Sequence, residues 1–181
     1  MLRYLKMMLQ LILAPTKGWE DVSHTSMSAR SALIWGMLPL AALAGASAVV
    51  TEMLEARPTT AKIILGVVVN FLQYPLTYFL ADAVMTALLP KLTADGRVDR
   101  ERLGLFLSLS VGMMALIGIL VNVLPMEVTL LQFLPLYVLV VMVQGRRYLD
   151  VTDDRAGMLA ALELGAVIVP IYLLNYLLSN L

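Results

Sequence analysis

Between Leu103 and Met126 the chain runs for 24 residues without a charged side chain. A helix of about 20 apolar residues is what crosses a bilayer, and four more stretches approach that limit. Ser31–Thr51 is uncharged for 21 residues, Ile63–Ala81 for 19, and Val128–Gly145 for 18. The second of these continues through a single acid, Asp82, to Leu89; the last stretch, about Ala156 to Leu178, is interrupted only by Glu163. Hydrophobic residues make up 60% of the chain and charged residues 14%, against about 25% charged in a soluble domain. Strand-type alternation is absent, which disfavours a β-barrel. The expected fold is all-α: one integral membrane domain over 1–181, with five transmembrane helices at about 31–51, 62–89, 103–124, 128–145 and 156–178. Thirteen basic and thirteen acidic residues leave no net charge, so a nucleic-acid partner is not expected. With no cysteine, disulfides and thiolate chemistry are excluded.

The connections fit these limits. Asp95-Gly96 marks a turn after the second span. Asp99 is placed to cap the third helix, with Val98 and Leu103 spaced as a hydrophobic staple, and Thr152 or Asp153 to cap the fifth. Pro125 and Glu127 leave a tight link that makes spans three and four antiparallel neighbours. Basic residues then give the orientation. Arg3, Lys6, Lys17 and Arg30 precede the first span; Lys91, Arg97, Arg100 and Arg102 lie between the second and third; Arg146, Arg147 and Arg155 lie between the fourth and fifth. The opposite side has only Arg57 and Lys62. The asymmetry predicts a cytoplasmic N-terminus and an outside C-terminus.

Residues 1–30 form the segment before the first span. Arg3 and Lys6 ahead of an apolar stretch suggest a signal peptide, but Gln10 interrupts the stretch and no small-residue cleavage site follows before Pro15. Arg3, Lys6 and Gln10 share one helical stripe at i, i+3 and i+7, so the expected form is an amphipathic helix lying in the cytoplasmic headgroup layer.

The phrase from Leu11 through Pro15, Lys17 and Trp19 to Glu20, Asp21 and Val22 resembles the opening of bacterial members of the Ypt-interacting protein (Yip) family. In those members an apolar helix is followed by Pro, a basic residue, Trp and an acidic residue. The loop from Leu92 through Gly96 to Leu105 also looks like that family's second connection. The likeness spans nearly the whole chain and implies five spans in a bacterial cytoplasmic (inner) membrane, with Pro15, Trp19 and Glu20 as the family-like motif. The short motifs of the eukaryotic members, Asp-Leu-Tyr-Gly-Pro and a Gly-Tyr pair, are not in this sequence, so their role with small GTPases is not implied.

Ionisable groups inside spans carry the most information, because a charge at mid-bilayer costs at least about 2.5–3.5 kcal/mol. Asp82 and Glu163 each lie about 10–12 Å in from the cytoplasmic ends of their helices at 1.5 Å per residue. They either share a site that holds a proton or a cation, or each merely joins helices. Asn70, Tyr74, Tyr78 and Asp82 recur every four residues, with Gln73 beside the row and Pro75 within it. This row lines a polar cavity or supplies interhelical hydrogen bonds, with Asn122, Gln132, Tyr137, Glu163 and Asn175 available from other spans. Small residues at four-residue spacing (Gly104, Ser108, Gly112; Ala41, Gly45; Gly157, Ala161, Gly165) let helices approach closely, with packing inside the chain the expectation. Pro39, Pro135 and Pro170 are expected to kink their spans.

His24 is the single histidine, which excludes a histidine-rich metal site and reads as a solvated loop residue. Asp150, Asp153 and Asp154 beside Arg146 and Arg147 form a charged turn or hold a cation or lipid headgroup. No nucleophile elbow, zinc motif or phosphate loop is present, and no cofactor or enzymatic activity is expected. The functional expectation is a membrane scaffold or adaptor toward the lipid bilayer, anionic headgroups or other membrane proteins. The alternative is a small ion- or proton-linked transporter or channel using Asp82 and Glu163.

Overall fold

The computed structural model describes residues 1–53, 59–124, 131 and 133–180. Arg57, Pro125, Glu127 and Gln132, which entered the sequence argument, lie outside the described residues. The chain is helical: α1 Leu2–Leu13, α2 Pro15–Ser23, α3 Ala29–Ala32, a π turn Leu33–Met37, α4 Leu38–Met53, α5 Thr60–Leu88, α6 Arg100–Val123, α7 Leu134–Gln144, α8 Ala156–Glu163, a second π turn Leu164–Ile168, and α9 Val169–Ser179. Four helical stretches are long and apolar enough to cross a membrane: Ala29–Thr51, Thr60–Lys91, Arg100–Val123 and Asp153–Ser179. They match the expected first, second, third and fifth spans. Of the expected fourth span, 128–145, the described helix is α7, eleven residues long, or about 16 Å at 1.5 Å per residue. That is roughly half a bilayer core.

Helix α6 is the axis of the bundle. Every residue from Leu103 to Ala115 is buried, with α1, α3–α5, α7 and the second π turn packed around it. Its N-cap is the expected one: the Asp99 carboxylate accepts from the backbone N–H groups of Glu101 (2.9 Å) and Arg102 (3.2 Å). Gly96 adopts φ +69°, a conformation that glycine takes without a Cβ clash. Asp95 accepts from Arg97 N–H at 3.1 Å across the same turn. The expected cap of the fifth span is different in the structure. Thr152 precedes a 3-10 turn, Asp153–Arg155, and makes no side-chain cap; α8 starts after Arg155.

Both π turns stand at one spacing before a proline. Leu38 N–H donates to Leu33 C=O, and Val169 N–H to Leu164 C=O, each across five residues. Pro39 and Pro170 follow one residue later. A proline cannot donate to the carbonyl four residues back and its ring crowds that carbonyl, and a widened turn takes up the misfit. Pro135 is in the first turn of α7, where its missing N–H has no helical acceptor to lose. It starts a described helix rather than kinking one.

The polar edge of α1 folds back on its own chain. Arg3 donates to the hydroxyls of Thr25 and Ser26 (both 3.2 Å), and the Gln10 amide donates to Asp21. Gly18 allows α2 to lie against α1, because a Cβ there would stand 2.8 Å from the Leu11 Cα. One apolar stripe of α1 (Tyr4, Met7, Met8, Leu11) is buried in the protein core, while Leu2, Leu9 and Leu13 are exposed. Tyr4 is fully buried: its ring occupies the space left by Gly36 in the first π turn, and its hydroxyl reaches Gly112 and donates to the Ser108 carbonyl at 2.6 Å. The Gly104-Ser108-Gly112 ridge therefore receives side chains, Tyr4 at Gly112 and the Ala29 methyl at Gly104. Gly45 meets Val67 and Phe71 of α5 as an intrachain ridge should. The third ridge departs from expectation. Gly157, Ala161 and Gly165 are exposed, and nothing lies within 4 Å of a Cβ built at either glycine.

The connections 89–99 and 145–155 meet at one end of the bundle. Thr93 and Val151 form an isolated antiparallel bridge, Arg155 donates to the Lys91 carbonyl at 2.6 Å, and Arg102 pairs with Asp150 at 2.9 Å. Asp150 takes φ +57°, which aspartate tolerates better than most residues. The α1–α2 pair joins them, since the Trp19 indole N–H donates to the Val141 carbonyl at 2.7 Å. The three segments assigned to one side by their basic residues are thus one assembly, called here the basic end.

Candidate functional site

At the basic end a cleft of about 350 Å³ is lined by Thr16, Trp19, Glu20 and Ser23 from the N-terminal pair, Arg102 from α6, and Gln144, Arg147 and Tyr148. Trp19 is its floor, 3% exposed. The indole stacks on Phe106 (4.9 Å between centroids) and on Tyr148 (5.3 Å). Gly145 makes the stack possible, because a Cβ there would stand 2.8 Å from the Phe106 ring and 2.9 Å from the indole. Arg102 is held at 2.9 Å from Asp150 and 3.6 Å from Asp99, with its guanidinium 6.0 Å from the Tyr148 ring centre. Burial pushes the Tyr148 hydroxyl up to about 12, opposed by the charge of Arg102 and reinforced by Asp99 and Glu101. Arg147 is exposed and makes no ion pair among the described residues. The cleft thus offers a fixed cation, a second, exposed cation, one carboxylate and three hydroxyls around an aromatic floor. That chemistry suits a phosphate-bearing headgroup or a polar protein segment better than an isolated ion. Of the family-like motif, Trp19 and Glu20 line this cleft, while Pro15 begins α2, where proline is favoured.

The polar row of α5 divides between two places. Asn70, Gln73 and Tyr74 line a cleft of about 290 Å³ near the opposite end, together with Gly118, Asn122, Tyr172 and Asn175. Tyr78 and Asp82 line a more open recess with Arg30, Arg100 and Glu101. The geometry of the helix explains the division. At 3.6 residues per turn a four-residue step overshoots by about 40°. Three steps from Asn70 to Asp82 therefore swing the row by roughly 120°.

Asp82 is paired with Arg100 at 3.6 Å, its side chain 35% exposed, and Arg100 also donates to Thr86 at 2.7 Å. Glu163 is fully buried, and neither carboxylate oxygen has a hydrogen-bond partner among the described residues. It directly precedes the second π turn. No hydrogen bond or ion pair among the described residues joins the two acids, and Glu163 does not line the Asp82 recess. Tyr137 stays outside the α5 row and donates to the Ile12 carbonyl at 2.5 Å, tying α7 to α1. Asn122 donates to Ser47 (3.0 Å) and the Ala44 carbonyl (3.4 Å), so one amide does serve as the expected interhelical bond. His24 is exposed, and no group of three His, Asp or Glu that could hold a metal occurs among the described residues.

Sequence reasoning placed Arg147 in a charged turn that could hold a headgroup, but did not find Arg102 and Tyr148 as its partners in a cleft. No signal in the sequence joins them, because they come from segments brought together only by the fold. In comparisons with known proteins, no family model, no curated protein and no solved structure matches this chain.

Proposed function

We propose that this chain is a five-span protein of a bacterial cytoplasmic membrane, of the Yip type, acting as a non-enzymatic scaffold or adaptor toward lipid headgroups or protein partners. In this reading the basic end is cytoplasmic and the C-terminus lies outside. The observation that carries it is the cleft built from the N-terminal helix pair, with Trp19 locked into its floor and Arg147 exposed on its rim. A ligand bound there touches α2, α6 and the 145–155 connection together, which is how an adaptor couples occupancy to the position of its N-terminal segment. A photocrosslinking amino acid at Ser23 should give a discrete adduct in cells that Arg147→Gln abolishes. Adducts no stronger than those from the lipid-facing position Met158 would overturn the reading.

A second reading, proton- or ion-linked transport, is favoured by one observation: the buried Glu163 carboxyl with both oxygens unbonded beside a π turn. Such turns recur at functional sites. Purified protein in liposomes loaded with a pH-sensitive dye discriminates the two. The adaptor reading expects no flux above empty liposomes; flux that disappears in Glu163→Gln would replace it.

A further inference from the structure

The cleft opposite the basic end has a composition unlike the rest of the molecule. Asn70 and Gln73 come from α5, Asn122 from α6 and Asn175 from α9, and the hydroxyl-bearing Tyr74 and Tyr172 stand with them. Among the described residues, no acidic or basic residue lines it. Some of this polarity is consumed inside the protein: the Asn70 amide donates to the Gly66 carbonyl at 3.0 Å, and Asn122 is bonded to α4. The remainder is not. Gln73 is 4% exposed; its side chain also interacts with the Tyr74 hydroxyl and its amide reaches Asn70 at a marginal 3.5 Å, but its carbonyl oxygen has no partner among the described residues. The Asn175 carboxamide likewise makes no hydrogen bond among the described residues. Hydrocarbon supplies no partner to either group, so an arrangement that only glued helices would have paired them. The site is instead set up to be completed by something that enters it.

We propose that this cleft binds the uncharged, hydroxyl-bearing head of a membrane lipid. An ion is disfavoured because none of the described lining residues carries a charge to replace its hydration. A carboxamide offers a donor and an acceptor side by side, and an alcohol hydroxyl does the same, so a hydroxyl-bearing head matches the chemistry of the Gln73 and Asn175 side chains. Apolar walls from Met114, Ile117, Val121 and Ile171 continue from the amides and suit the first carbons of an acyl chain. The volume, about 290 Å³, is close to the lower bound of about 300 Å³ for ligand sites. That fits a glycerol- or sugar-sized head rather than a whole lipid. The assignment holds whichever side of the membrane this end faces, and it is independent of the cleft at the basic end.

The test is native mass spectrometry of the full chain in lauryldimethylamine oxide, a detergent without hydroxyl groups. The probes are 1,2-dioctanoylglycerol, 1,2-dioctanoyl phosphatidic acid, and free glycerol and glucose. A one-to-one complex with dioctanoylglycerol is expected, weakened at least tenfold in both Gln73→Leu and Asn175→Leu. Asn175 is only half-buried, so its variant keeps the test valid if Gln73→Leu fails to fold. Gln73-dependent binding of free glycerol or glucose would identify the same chemistry in a soluble polyol. Equal binding of phosphatidic acid and dioctanoylglycerol, unchanged binding in a folded variant, or no binding of any hydroxyl probe overturns the proposal.

Discussion

Tyr4 and Gly112 should behave as a single unit in a double-mutant cycle. The Tyr4 hydroxyl donates to the Ser108 carbonyl at 2.6 Å and stands where a side chain at Gly112 would begin. Tyr4→Phe removes one hydrogen bond and leaves an acceptor that remains inside a helix, a loss of about 0.5–1.5 kcal/mol. Gly112→Ala keeps the helix and places a methyl group on the hydroxyl. Overpacking of a closed core costs about 1–3 kcal/mol, offset in part by the roughly 1 kcal/mol by which alanine outranks glycine in a helix. Combining the two removes the colliding atom. The next ring atom stands 3.1 Å from the new methyl, a distance that a small tilt of the ring relieves. The double variant should therefore be more stable than the sum of the singles by about 1 kcal/mol, beyond the 0.3–0.5 kcal/mol within which independent sites add. Thermal unfolding in detergent, followed by the fluorescence of Trp19 and Trp35, measures all four corners of the cycle. Additivity within about 0.5 kcal/mol would mean that α1 does not insert Tyr4 between the first π turn and α6.

Trp19→Phe keeps the aromatic floor but loses the 2.7 Å bond to Val141, and should cost about 1 kcal/mol in the same unfolding assay; an unchanged melting temperature would refute the docking of α2 on α7. Because the Tyr148 hydroxyl sits at about 12 in the folded protein against about 10 when unfolded, its contribution is fully present below pH 10 and lost as pH rises through 12. The alkaline fall in melting temperature should be shallower in Tyr148→Phe across that window, and identical curves would contradict the burial assigned to it. Intact-mass measurement of purified protein should retain Leu2–Leu13, since one apolar stripe among them is core; a chain beginning at Pro15 would show that they had been a cleaved leader. An alkaline phosphatase fused after Leu181 should be active outside the cytoplasm, and a silent fusion would remove the five-span orientation.

The four long apolar helices and their approximate limits were legible in the residues alone. Water-to-hydrocarbon transfer penalises a charge whatever its neighbours are, so the uncharged run from Leu103 marks α6 without reference to any other helix. Asp99 as a cap and Gly96 in a left-handed turn were readable for the same reason, because their physics is confined to one turn of chain. Which face of each helix meets which partner was not readable. In a bilayer the packed face and the lipid face are both apolar, so the rotation of a span about its axis leaves little trace in its hydropathy. Only the tertiary structure could turn the single α5 row into two sites, pair Asp82 with Arg100 while enclosing Glu163, and leave the Gly157 ridge open. Only it could bring Tyr4 to Gly112 and Trp19 to Gly145, contacts between segments more than 100 residues apart that depend on the absence of a Cβ at the far end.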